Sequence, residues 1–203
     1  MLYNKQGTTV IIYKWRCIAI PKVVDHEHFR TELLDRCFDL FANKAISSVT
    51  MREIAKQLGV STGKIYHYFP DKQQLFEQMV RHLTTKDIFQ SNFDISGNTS
   101  EERLKHLFQY VLEQESNYTR KLLFIVDYYR STDLAAEHRS ILNEAVEQYI
   151  AMLQRIVPNR EDASFLLVII HGLLLLRYFD GGETLFELHA KQAIEWVISR
   201  EDK

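Results

Sequence analysis

From Asp25 onward the apolar positions recur at helical spacing. Phe29, Leu33, Cys37, Phe38 and Phe41 fall on one stripe with Asp35, Arg36 and Asp39 opposite, which predicts an amphipathic helix. The pattern fades over 43–48, a predicted loop. Thr50 with Glu53 three residues on has the form of a capping box, and Met51, Ile54, Ala55 and Leu58 follow at helical intervals. A short second helix therefore starts at Thr50 and ends at Gly59, the residue type suited to the left-handed position past a helix. Ser61 is placed to cap a third helix, with Val60, Ile65 and Phe69 inward and Thr62, Lys64, His67 and part of Tyr66 and Tyr68 outward. Pro70 stops it. Asp71 then caps a longer fourth helix whose stripe is Leu75, Phe76, Met79, Val80 and Leu83, running to about residue 90.

The breaks that follow are weaker. A loop is predicted over 91–100, and Thr99 with Glu102 forms a second capping box ahead of Leu104, Leu107, Phe108, Val111 and Leu112. Further helices are expected over 118–130, 134–157, 161–180 and 184–200, with Thr184 and Glu187 as a third capping box. The run 165–176 is apolar around most of its circumference and needs cover on several sides. Either it is a central core helix or it also packs on a second copy of the chain. His171 and Gly172 interrupt it, and it falls short of the ~20 residues a bilayer needs, so no membrane span is expected.

Composition narrows the fold class. The 203 residues include 7 Gly and 3 Pro, where average usage would give about 14 and 10. A sandwich, barrel or propeller needs more turn-formers than that, so the expected class is all-α. With 46% hydrophobic and 26% charged residues the chain is composed as a globular protein of one large or two small domains. Cys17 and Cys37 make neither a disulfide framework nor a zinc-ligand spacing, which favours a reducing, cytoplasmic home.

Charge is unevenly distributed. Residues 1–24 carry four Lys/Arg and no acid, 25–90 carry nine of each, and 91–203 carry 12 basic against 18 acidic residues. Within 44–72, Lys44, Arg52, Lys56, Lys64 and Lys72 face only Glu53 and Asp71. A basic patch on an N-terminal unit and an acidic body point to a focused contact with nucleic acid.

A short capped helix, a Gly59-Val60 turn and a second short helix with small and basic residues at its start make a helix-turn-helix over 50–69. The first helix offers free N–H groups and a positive dipole end to a phosphate, with the Thr50 hydroxyl beside it. The second would enter a major groove about 12 Å wide, where Gly63 permits close approach and Lys64 can donate to guanine O6 and N7. Tyr66, His67 and Tyr68 lie further along it, and Lys72 would clamp the backbone from the other side.

This stretch resembles the N-terminal domain of TetR-family transcriptional regulators. The matching text is Phe41, Thr50-Met51-Arg52-Glu53-Ile54-Ala55, then Leu58 through Lys72 without a break, and Leu75. The resemblance implies an N-terminal three-helix DNA-binding domain over 25–86 and a C-terminal helical ligand-binding and dimerisation domain over 87–203. It also implies that Thr50, Arg52, Thr62, Gly63, Lys64, Tyr66, His67, Tyr68 and Lys72 contact DNA. One departure is Ala45, which stands where the family usually has Gly at the end of the first helix; Asn43 is the candidate for the left-handed residue there.

The expected function is a sequence-specific, ligand-responsive repressor that binds a palindromic operator on double-stranded DNA. It would act as a homodimer through helices 161–180 and 184–200 and answer to a small-molecule effector. The alternative is a helical ligand-binding or adaptor dimer acting through a protein partner. No HExxH, GxSxG, P-loop or GxGxxG is present, so an enzyme is not expected, nor a cofactor or metal. His26 and His28 flanking Glu27 suggest at most an adventitious surface metal site. Phe124, Tyr128 and Tyr129, with His171, are the candidates for an effector pocket. Residues 1–24 hold Val10-Ile11-Ile12, Lys14-Trp15-Arg16 and Pro21, and three readings stand: a basic arm, a strand packed elsewhere, or a start site at Val23 or Val24.

Overall fold

The computed structural model describes residues 25–41, 48–94, 97–131 and 136–201. The expectations for 1–24 and for Asn43 and Ala45 lie outside them. The described residues form helices throughout: α1 (His26–Phe41), α2 (Met51–Leu58), α3 (Thr62–Tyr68), α4 (Lys72–Asp94), α5 (Ser100–Glu113), α6 (Glu115–Ser131), α7 (Ala136–Leu153), α8 (Arg160–Asp180) and α9 (Phe186–Glu201). The all-α expectation holds.

Side-chain caps explain where the first helices begin. Asp25 accepts from the amides of Glu27 and His28, Thr50 and Glu53 form the full reciprocal capping box, Ser61 accepts from the Lys64 amide, and Asp71 accepts from the Gln74 amide. Each satisfies an N–H that the helix itself leaves orphaned. At Thr99 the box is only half made: its hydroxyl accepts from the Glu102 amide, but the Glu102 carboxylate takes the amide of Asn98. The third box is not formed. The Thr184 hydroxyl donates to the Asp180 carboxylate, and α9 starts two residues later, with the Leu185 carbonyl accepting from the His189 amide. Asp180, at the end of α8, outcompetes Glu187 because it also collects the amides of Gly182, Glu183 and Thr184.

Two apolar cores form. The first joins Leu33, Cys37, Phe38 and Phe41 of α1, Ile54 and Leu58 of α2, Ile65 and Phe69, and Leu75, Phe76 and Met79 of α4 to Phe124 and Tyr128 of α6 and Ile141 of α7. The second joins α5 and the end of α7 to α8 and α9, through Leu104, Phe108, Leu153, Leu166, Ile170, Phe186 and Val197 among others. Fully burying one such side chain contributes about 1.5–3 kcal/mol. α4 belongs to both halves. Its 23 residues, about 34 Å of helix, pack on α1, α5 and α7. It runs to Asp94, so the predicted loop over 91–100 is displaced by helix over its first four residues.

α8 is long and apolar enough to cross a membrane by length and composition alone. Ala163, Leu166, Leu167, Ile170, Leu173 and Leu174 face inward, against α6, α7 and α9, while Val168, Leu176 and Phe179 are exposed. Its turn into α9 is fixed by Gly181 at φ 72° and by Arg177, which pairs with Glu115 at 2.6 Å and donates to the carbonyls of Gly182 and Thr184.

Candidate functional site

The helix-turn-helix is built as its caps require. Gly59 sits at φ 67°, a conformation that costs a side-chain-bearing residue about 1 kcal/mol or more and lets the amide of Val60 close back on the Ala55 carbonyl at 3.0 Å. Arg36 of α1 donates to the Leu58 carbonyl at 2.6 Å and so pins the end of α2. Ile65 and Phe69, both fully buried, anchor α3 to the first core.

Anchoring by those two residues turns the rest of α3 outward. Thr62, Gly63, Lys64, Tyr66 and His67 are exposed, and Arg52 is exposed on the neighbouring α2. A Cβ built on Gly63 would meet nothing within 4 Å, so packing within this chain does not require glycine there. The Lys64 ammonium lies 3.8 Å from the Phe29 ring centroid. Tyr68 is turned further in: its hydroxyl is 2.8 Å from the His26 Nδ1 and its ring is 5.5 Å from that of Phe29. His26 thus serves the seat of α3, and among the described residues no cluster of three or more His, Cys, Asp or Glu suited to a metal occurs.

Thr50 and Lys72 also sit among partners of their own. The Thr50 hydroxyl donates to the Glu53 carboxylate at 2.8 Å and accepts from the Glu53 amide, so it is engaged within the cap. Lys72 is half-buried beside Asp127 and Glu53; partial burial lowers its pKa, and the two carboxylates oppose that shift.

A cavity of about 260 Å³ lies in the body, between α5, α6, α7 and α8. Its wall is apolar except for Tyr110, Tyr118, Lys121, Tyr149 and His171. Of the four residues expected to line a pocket, His171 alone lines this one. Phe124, Tyr128 and Tyr129 do not: Phe124 packs among Phe38, Phe41 and Phe76, Tyr128 stacks on Phe76, and Tyr129 sits edge-on to Tyr128. α6 presents that face to α1 and α4, and its cavity face is Tyr118, Lys121, Leu122 and Ile125. Burial lowers the His171 pKa by disfavouring the charged imidazolium.

Sequence reasoning passed over Lys121 and Asp87. The Lys121 ammonium donates to Asp87 Oδ1 of α4, and the Tyr149 hydroxyl donates to Oδ2 at 2.7 Å. Burial lowers the Lys121 pKa, with Asp87 pulling it back up; burial and then the Asp87 charge raise that of Tyr149. The signal was present in the pattern. Asp87 continues the Val80-Leu83 stripe of α4 and Lys121 the stripe of Phe124 and Tyr128, so opposite charges stand at core positions of two helices.

The comparisons with known proteins agree with this architecture. The family model of bacterial regulatory proteins of the tetR family matches residues 33–79, from within α1 to within α4. Over these residues the chain is similar to the tetR family of bacterial regulatory proteins. The HTH-type transcriptional repressor KstR2 of Rhodococcus jostii is 38% identical over 52 residues, 26% of each chain. The chain spans about a quarter to a half of the length of the KstR2 relatives it matches. Among solved structures, NemR of E. coli in its reduced form superposes with a TM-score of 0.67 at 20% identity, over 83% of this chain and 95% of that one. The regulator FadR of Bacillus subtilis in complex with stearoyl-CoA gives 0.66 at 18%, over 85% and 98%. At such identities these structures show a shared fold, and the likeness extends over the body as well.

Proposed function

We propose that this chain is a TetR-type, sequence-specific transcriptional regulator, a ligand-responsive repressor that binds a palindromic operator as a homodimer and, since it reads DNA, works in the cytoplasm. The observation that carries the reading is the outward face of α3: Thr62, Gly63, Lys64, Tyr66 and His67 are exposed on a short helix anchored by Ile65 and Phe69. Lys64 and Tyr66 reach base edges or phosphates, Gly63 lets the helix backbone approach the groove, and Arg52 with the α2 amides holds the phosphates. Thr50, His67, Tyr68 and Lys72 complete the surface, Tyr68 chiefly by seating α3 on His26. Residues 25–86 form the reading head and 87–203 the regulatory body.

Dimerisation uses α8 and α9. Val168, Leu176 and Phe179 form one exposed apolar stripe at helical spacing with Gly172 between them, and Leu188 and Trp196 of α9, with Leu185 just before it, form a second. Stripes of this kind mark interaction surfaces, and two helices from each copy would close a four-helix interface about a twofold axis. The two heads then address half-sites about 34 Å apart. An effector in the cavity weakens DNA binding by as much as it prefers the spread arrangement of the heads.

A gel-shift titration with the DNA upstream of the chain's own gene, run alongside size-exclusion chromatography, tests this reading. The wild type binds with a log K that falls about 0.9 per neutralised phosphate per decade of salt, and Lys64→Ala with Tyr66→Ala loses binding while remaining dimeric. Undiminished binding by the double variant overturns the assignment of the surface, and a protein that captures no DNA at low salt acts through a protein partner instead.

A further inference from the structure

The cavity between α5, α6, α7 and α8 is lined by no Asp or Glu. Its one charged group is the Lys121 ammonium, and its other polar groups are the phenols of Tyr110, Tyr118 and Tyr149 and the His171 imidazole. An ammonium carries three donors. One goes to Asp87 Oδ1, and no other acceptor is recorded for it among the described residues. Leu107, Leu122, Ile125, Leu142 and Leu174 are among the side chains that form the remaining wall. At about 260 Å³ the space lies just below the ~300–1,000 Å³ of typical small-molecule sites. A small molecule with an apolar body and one strong acceptor matches both the shape and the donors.

Asp87 gives that acceptor a consequence. Its side chain is 2% exposed, and its charge is balanced by Lys121 from α6 and held by Tyr149 from α7. The helix it belongs to, α4, follows α3 after Phe69, Pro70 and Asp71 and packs on α1. A second carboxylate at the ammonium would leave two negative charges sharing one positive charge in a buried place, an arrangement that strongly disfavours one of them. The group free to leave is the one whose helix end can shift.

We propose that the cavity binds a small carboxylic acid with an apolar body, whose carboxylate takes the Lys121 ammonium from Asp87 and thereby loosens the seat of α4. This names the effector class of the cavity already assigned to the regulatory body and rests on that reading only for its effect on DNA. Binding to Lys121 and release of α4 are coupled reciprocally, so operator DNA in turn weakens acid binding by the same factor.

Isothermal titration of the full-length chain at neutral pH with octanoate, octanamide and octyltrimethylammonium tests the class. Octanoate is expected to bind more tightly than either by about tenfold or more, the difference made by a charged hydrogen bond. Asp87→Asn removes the competitor and is expected to tighten octanoate, whereas Lys121→Met combined with Asp87→Asn, which leaves no lone buried charge, erases the preference for the acid. Hydrogen exchange of residues 72–94 should quicken when octanoate is added to the wild type and not when it is added to the double variant. Equal binding of the amide or the ammonium compound, an Asp87→Asn chain with unchanged octanoate affinity, or no binding of octanoate overturns the proposal. Acid binding with these signatures in a chain that binds no DNA sustains the proposal and fails the repressor reading instead; DNA binding without them does the reverse.

Discussion

The Lys64 ammonium rests over the face of Phe29, 3.8 Å from its centroid, so the cation of α3 is held from outside its own helix by the first turn of α1. A cation over an aromatic face gains about 0.5–1 kcal/mol at an exposed site, little enough for a phosphate or a guanine edge to outbid.

That balance leads to a first prediction about charge and shape. Lys64→Met keeps an unbranched side chain over Phe29 and removes the charge. It is expected to leave the urea midpoint within about 0.5 kcal/mol of wild type while lowering the salt slope of DNA binding by about one unit. A slope that does not move would place Lys64 away from the DNA.

Gly63 separates folding from function more sharply still. Nothing in the chain lies within 4 Å of a Cβ added there, and its φ is not positive. Gly63→Ala should therefore raise stability, by up to about 0.5–1 kcal/mol for a helix position, and at the same time weaken DNA binding, because the methyl group meets the groove. Chemical denaturation and gel shifts on one preparation check both signs.

The Phe76–Tyr128 stack, with ring centroids 3.3 Å apart and 3° between planes, ties α4 to α6 at the heart of the first core. Phe76→Ala is expected to cost about 3–5 kcal/mol, the range for deleting a buried aromatic ring, as read from urea unfolding. A cost below ~1 kcal/mol would mean that the two halves of the chain are stabilised independently.

Asp35 on α1 supplies a pH dependence. Its carboxylate lies 2.9 Å from the His82 Nε2 and 3.0 Å from the Lys86 Nζ, both on α4. Burial alone would raise its pKa, but hydrogen bonds and charge from His82 and Lys86 outweigh that and hold it below the ordinary value. A depressed folded-state pKa contributes stability that is full above the unfolded value of ~3.9 and lost as the pH falls through the folded one. Wild type should therefore be more stable than Asp35→Asn at pH 6, by a small margin since the pair is partly exposed. The difference should shrink below about pH 4 in parallel denaturation series. A pH-independent difference would assign the effect to packing.

The sequence by itself determined the caps and the reading helix. Thr50, Glu53, Gly59 and Ser61 act within four residues of their partners, so local spacing was enough to start and stop α2 and α3 and to say that Ile65 and Phe69 face inward. Where a cap had competitors, as at Thr184 with Asp180 close by in the chain, spacing chose the wrong partner. The aromatic residues of α6 show the other limit. Phe124 and Tyr128 could be read as core and also as candidates for a pocket, because a helical stripe states which residues share a face and not which neighbour covers it. Only the tertiary structure decided that they lie against α1 and α4. It also decided that the cavity forms along the adjoining face of α6, and that Lys121 and Asp87, 34 residues apart in sequence, meet in the interior as one neutral pair.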